Sequence, residues 1–69
     1  MRVEEALRLL SAGIFESSEI LRMFEERLGL KRMDARRILA ALVSQGLVER
    51  LPDYSRGRMV FRRAAASPD

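Results

Sequence analysis

Across Gly46 the spacing of apolar residues changes period, and that change commits the chain to a mixed architecture. Before it, Ala35, Ile38, Leu39, Leu42 and Val43 recur at i, i+3, i+4, i+7 and i+8, one stripe of a helix built from the strong helix formers "ARRILAAL". After it, Leu47, Val48 and Leu51 of "LVERL" suit a short strand, and Met59, Val60 and Phe61 suit its return partner. The intervening "PDYSRGR" carries the Pro and Gly of a hairpin loop. A two-stranded hairpin is not stable alone, so it must lie on the helices and bury Leu47, Val48 and Phe61.

Two further helices precede this unit. Val3, Ala6, Leu7 and Leu10 form one stripe of a helix over residues 2–12, with Glu4 and Glu5 in its first turn and Gly13 as its stop. Ile14 and Phe15 make an apolar bridge too short for an independent strand. Ser17 or Ser18 caps the second helix. Its buried side is Ile20, Leu21, Phe24 and Leu28; Arg22, Glu25, Glu26 and Arg27 face outward, and Gly29 breaks it. Three helices closed by a hairpin give one α+β domain over residues 1–63, with 64–69 ("AAASPD") as a flexible tail.

Sixty-nine residues leave room for one small core. The chain has no cysteine and no histidine, which removes disulfides, Cys-based zinc sites and the usual general base. No carboxylates or serines pair in a catalytic pattern. These features argue against an enzyme and call for no cofactor, metal or small-molecule substrate. No apolar run reaches the length of a membrane span and no secretory segment opens the chain, so the expectation is a cytoplasmic protein.

Charge is divided unevenly. Residues 1–30 carry four arginines against six glutamates, whereas residues 31–63 carry nine Lys or Arg against Asp34, Glu49 and Asp53. A positive field concentrated in one half suits a polyanionic partner, although a charge run is also what a solvated face looks like.

The stretch "LGLKRMDARRILAALVSQGLVER" resembles a winged helix-turn-helix, the variant found in many bacterial and archaeal transcription regulators. Leu28, Gly29 and Leu30 match the family's turn. Ala35, Leu39 and Leu42 match the buried positions of its recognition helix, and Gly46, Leu47, Val48, Glu49 and Arg50 match the entry into its wing. The sequence departs from the family at Lys31, where Ser, Thr or Pro is common, and at Glu25, where a small residue is favoured.

The resemblance implies a three-helix bundle with a C-terminal two-stranded β-hairpin, binding double-stranded DNA as a small transcription regulator. Helix 31–45 would enter the major groove, with Lys31, Arg32 and Met33 at its entry and Arg36 and Arg37 on its outward face beside Ala40 and Ser44. The 52–58 wing would set Arg56 and Arg58, around Gly57, on phosphate or the minor groove; Tyr54 would either bond phosphate or cover the hairpin. A lone domain making four to six phosphate contacts would lose affinity with a log–log salt slope of roughly −4 to −5.

The alternative is a winged helix used for protein contact, as a subunit of a nucleic-acid-processing or membrane-remodelling assembly or as a homodimer, through helix one or two. One continuous positive face formed by Arg36, Arg37, Arg56 and Arg58 would favour DNA. Ion pairing of those arginines with Glu25 or Glu26 would favour a protein partner. RNA is a weaker reading, because Tyr54 is its one candidate for base stacking.

Overall fold

The computed structural model, which describes residues 3–11 and 13–64, has the order α1 (Val3–Leu9), β1 (Phe15–Glu16), α2 (Ser17–Leu28), α3 (Arg32–Ser44), β2 (Val48–Asp53), β3 (Arg58–Arg63). The expected tail beyond Ala64 lies outside the described residues. The result is a small α+β domain of three helices and a three-stranded antiparallel sheet, in the order β1-β3-β2. It is compatible with a winged-helix arrangement, but the sheet is not the expected two-stranded hairpin. Phe15 pairs with Phe61 and Glu16 with Val60. The dipeptide is too short to stand as a strand alone, yet it docks on the open edge that β3 would otherwise present.

Helix boundaries follow local hydrogen bonding rather than the glycine and serine signals. α1 ends at Leu9, short of Gly13; the Leu10 amide donates to the Leu7 carbonyl in a tighter turn (3.1 Å), and Leu10 is still fully buried. α2 is capped by Glu16, not by Ser17 or Ser18. Glu16 sits in the extended conformation that β1 imposes, and its carboxylate accepts the Glu19 amide while the Glu19 carboxylate accepts the Glu16 amide (2.9 Å). This reciprocal pair is a capping box with a glutamate in the usual serine position. At the other end Gly29 takes a left-handed φ of 64°, which terminates the helix as expected.

α3 begins one residue after Lys31, whose side chain makes no cap, and Asp34 lies in its first turn. It closes in a Schellman turn: the Gly46 amide donates to the Val43 carbonyl (3.0 Å) and the Leu47 amide to the Leu42 carbonyl (2.9 Å), with Gly46 at φ 75°. Leu47 therefore serves through its backbone, and its side chain is 37% exposed rather than buried as expected. Ala35, Ile38, Leu39 and Leu42 are buried, and Val43 packs at the edge of the core.

The core is one cluster in which Phe24, Leu10, Ile20, Leu42 and Val48 are the largest fully buried side chains. Phe61 joins it from the sheet, and Phe15 and Met23 pack against it. No helix among the described residues is long and apolar enough to cross a membrane.

Register fixes what each face of the sheet carries, because side chains alternate along a strand. Val48 and Phe61 point into the core, so Arg50, Pro52, Met59 and Arg63 share that helix-facing side with Phe15. The opposite side carries Glu16, Glu49, Leu51, Asp53, Arg58, Val60 and Arg62. Val60 is only 5% exposed there. Leu51 lies opposite it on β2, and Arg58 and Arg62 flank it along β3, so long aliphatic stems are available to cover it.

Candidate functional site

The chemistry-bearing residues singled out in the sequence fall into two groups on different elements. Lys31 immediately precedes α3, Arg32, Met33, Arg36 and Arg37 occupy its first turns, and all five are exposed. Tyr54, Arg56 and Arg58 belong to the hairpin, whose turn is Tyr54–Gly57, because Pro52 and Asp53 still pair within β2 and Arg58 within β3. Proline is tolerated there because β2 is an edge strand.

Within the α3 group the arginines differ in how they are held. Arg32 makes a two-pronged contact with Glu25 of α2, from Nε to Oε2 at 2.9 Å and from Nη2 to Oε1 at 3.2 Å. Glu25 was a departure from the resembling family, and Arg32 is its local explanation: an inter-helix ion pair stands where a small residue would otherwise allow close packing. Arg37 donates weakly to the Met33 sulfur (3.9 Å) and lies 4.0 Å from Asp34. Met33 is nevertheless 66% exposed. Arg36 and Lys31 have no acidic partner among the described residues.

The hairpin arginines are tied differently. Arg58 donates from Nη1 to Glu16 Oε1 at 2.7 Å, and Arg56 donates from Nη1 to Glu16 Oε2 at 3.4 Å. Arg56 Nε also lies 3.4 Å from Asp53 Oδ2. Arg62 pairs across the ladder with Glu49 at 2.9 Å. All four of these pairs lie on the side of the sheet facing away from the helices. Arg36, Arg37, Arg56 and Arg58 thus do not form one continuous face, and their acidic partners are Asp34, Glu16 and Asp53 rather than Glu25 or Glu26. These pairs are half-exposed, a setting in which each contributes about 0–1 kcal/mol.

Asp53 organises the turn. Its carboxylate accepts the Ser55 hydroxyl at 2.7 Å and the Arg56 amide at 3.4 Å, and its carbonyl accepts the Gly57 amide at 2.8 Å. The Ser55 bond, with the Arg56 amide and guanidinium, holds the Asp53 carboxyl below the usual aspartate range against an opposing effect of desolvation. Gly57, at φ 66°, lets the chain turn back into β3. Tyr54 stands at this tip 90% exposed, so it does not cover the hairpin.

Two residues outside the expected set are central to the geometry. Arg50 faces the helices from β2 opposite Phe61 and, with Arg36, borders a groove of about 550 Å³ over Leu39, Ala40, Val43 and Ser44. Its direction follows from strand parity: two residues after Val48, which must be buried, a side chain points to the same side. Glu16 is the second, joining the α2 cap to the hairpin. Its signal is the Glu-x-x-Glu spacing with Glu19, masked in the sequence by the adjacent serines.

No family model, curated protein or solved structure matches this chain significantly. What the site can do therefore rests on its own geometry. That geometry offers exposed guanidinium groups along one helix, small residues between them, and a braced hairpin beside it.

Proposed function

We propose that this chain is a winged helix that binds double-stranded DNA, acting as a small transcription regulator, with α3 in the major groove and the β2–β3 hairpin as its wing. One observation carries the reading: Arg36 and Arg50 both line the groove along α3, each without an acidic partner among the described residues. The exposed residues that α3 adds to the groove besides Arg36 are Ala40 and Ser44, side chains small enough to let a helix sit deep against base edges. Lys31, just before α3, and Arg37, next to Arg36, are further exposed cations on this part of the molecule. Arg32 is partly committed to Glu25, and Arg56 and Arg58 reach phosphate only by exchanging Glu16 for it.

The test is an anisotropy titration of labelled duplex DNA at low salt against wild type and the double variant Arg36→Ala, Arg50→Ala. Affinity is expected to fall at least tenfold, with the melting temperature unchanged because neither side chain is buried. Equal affinity for both proteins overturns the assignment.

A second reading, a protein partner docking on α1, draws on a separate groove of about 670 Å³ where Val3, Leu7 and Leu47 are exposed or half-buried. It gains if duplex DNA does not bind and a Leu47→Asp variant changes the oligomeric state.

A further inference from the structure

The hairpin tip spends its polar side chains on itself and leaves one aromatic ring unused. Asp53 accepts from Ser55 and from the Arg56 and Gly57 amides, and its carboxylate forms an ion pair with the Arg56 guanidinium. Arg56 and Arg58 are both fastened to Glu16, and Glu16 is fastened to the first turn of α2. The tip is thereby braced on a helix terminus rather than hung from two strands. Tyr54, at 90% exposure, is the most exposed large apolar side chain among the described residues.

The setting of this ring selects among partners. A protein hot spot needs an aromatic surrounded by residues that exclude water. The neighbours of Tyr54 in the turn are Asp53, Ser55, Arg56 and Gly57, and the apolar surface beside the turn is limited to the Pro52–Met59 pair, too little to ring an aromatic anchor. A nucleobase needs no such rim, since it offers a flat face that a single ring can cover. Bases inside a duplex are already stacked on both faces, so the base available is an unpaired one. Tyr54 follows the end of β2, four residues beyond Arg50, about 13 Å at ~3.3 Å per extended residue.

We infer that Tyr54 is a stacking finger, and that the preferred substrate is duplex DNA carrying an unpaired base at a fork or single-stranded extension. This rests on the duplex-binding reading: α3 and Arg50 hold the paired segment while the ring of Tyr54 packs on the first free base. The bonds of Asp53 hold the turn backbone that carries the ring, so less of the tip is left to order on binding.

The experiment compares two labelled duplexes with the same short single-stranded extension, one bearing its bases and the other abasic at those positions. Their phosphate charge is identical, so any difference reports the bases. The base-bearing DNA is expected to bind about tenfold tighter to wild type. Tyr54→Phe keeps this preference, and Tyr54→Ala removes it while leaving affinity for the abasic DNA unchanged. Tyr54 is the chain's one tyrosine, so its ring proton resonances are unambiguous; they move upfield on binding the base-bearing DNA. Equal affinity for the two DNAs, or unmoved ring resonances in the bound state, overturns the stacking role and leaves duplex binding standing. Failure of both DNAs to bind removes the duplex reading and the stacking role with it.

Discussion

Asp53 closes β2 and turns its carboxylate over the residues that follow, so the hairpin tip carries its own titratable latch. Because the folded protein holds this carboxyl below its ordinary value, the ionised form is favoured by folding. The linkage runs in one direction: the contribution is present above the usual aspartate range and is lost as pH falls through the lowered value. A carbon-detected NMR titration should find Asp53 ionising below an ordinary aspartate, and Ser55→Ala should raise it, since the Ser55 hydroxyl is the largest cause. An ordinary value in wild type would contradict the latch. At this scale the sequence was informative where periodicity speaks: Arg36, Arg37, Ala40 and Ser44 lie outward, opposite Ala35, Ile38, Leu39 and Leu42. It was silent on which arginines are occupied. Arg32, Arg56 and Arg58 look alike in sequence to Arg36 and Arg50, and only the fold brings Glu25, Glu16 and Asp53 against the first three.

Among the elements, α2 and the hairpin share Glu16. The carboxylate completes the α2 capping box and accepts from both hairpin arginines, so its removal acts on two elements at once. Loss of a cap costs about 1 kcal/mol, and exposed ion pairs add about 0–1 kcal/mol each. Glu16→Ala is therefore expected to lower the melting temperature by about 4–8 °C per kcal/mol lost, the scale for a domain of this size. A thermal melt followed by circular dichroism measures it, and a melting temperature equal to wild type would show that Glu16 is dispensable. The order of the three helices and of the β2–β3 hairpin was readable from apolar spacing, and Gly29 and Gly46 marked the ends of α2 and α3. The start of α2 was not, because Ser17 and Ser18 are better caps by propensity than Glu16. Long-range pairing of β1 with β3 sets Glu16 in extended geometry and overrides that preference. The same pairing, across more than forty residues of chain, is what made the third strand invisible to local pattern.

On the scale of the whole molecule, the basic half supplies α3 and the hairpin, while most of the acids lie in the first half. Folding mixes them: Glu25 from the acidic half pairs with Arg32, and Glu16 is shared between Arg56 and Arg58 of the basic half. The net charge of +3 is unchanged by this, but fewer cations remain free for a polyanion than the sequence suggests. Counting Lys31, Arg36, Arg37 and Arg50 as the contacts to duplex phosphate gives an expected slope of log affinity against log salt of about −3.6, from about −0.9 per phosphate. This is shallower than the slope expected when the wing arginines are counted as well. The most direct measurement is the affinity of the wild-type protein for a duplex across a series of salt concentrations. Measurable binding with a slope near −3.6 is the expected result; binding that is absent, or indifferent to salt, would contradict a DNA-binding role for this surface.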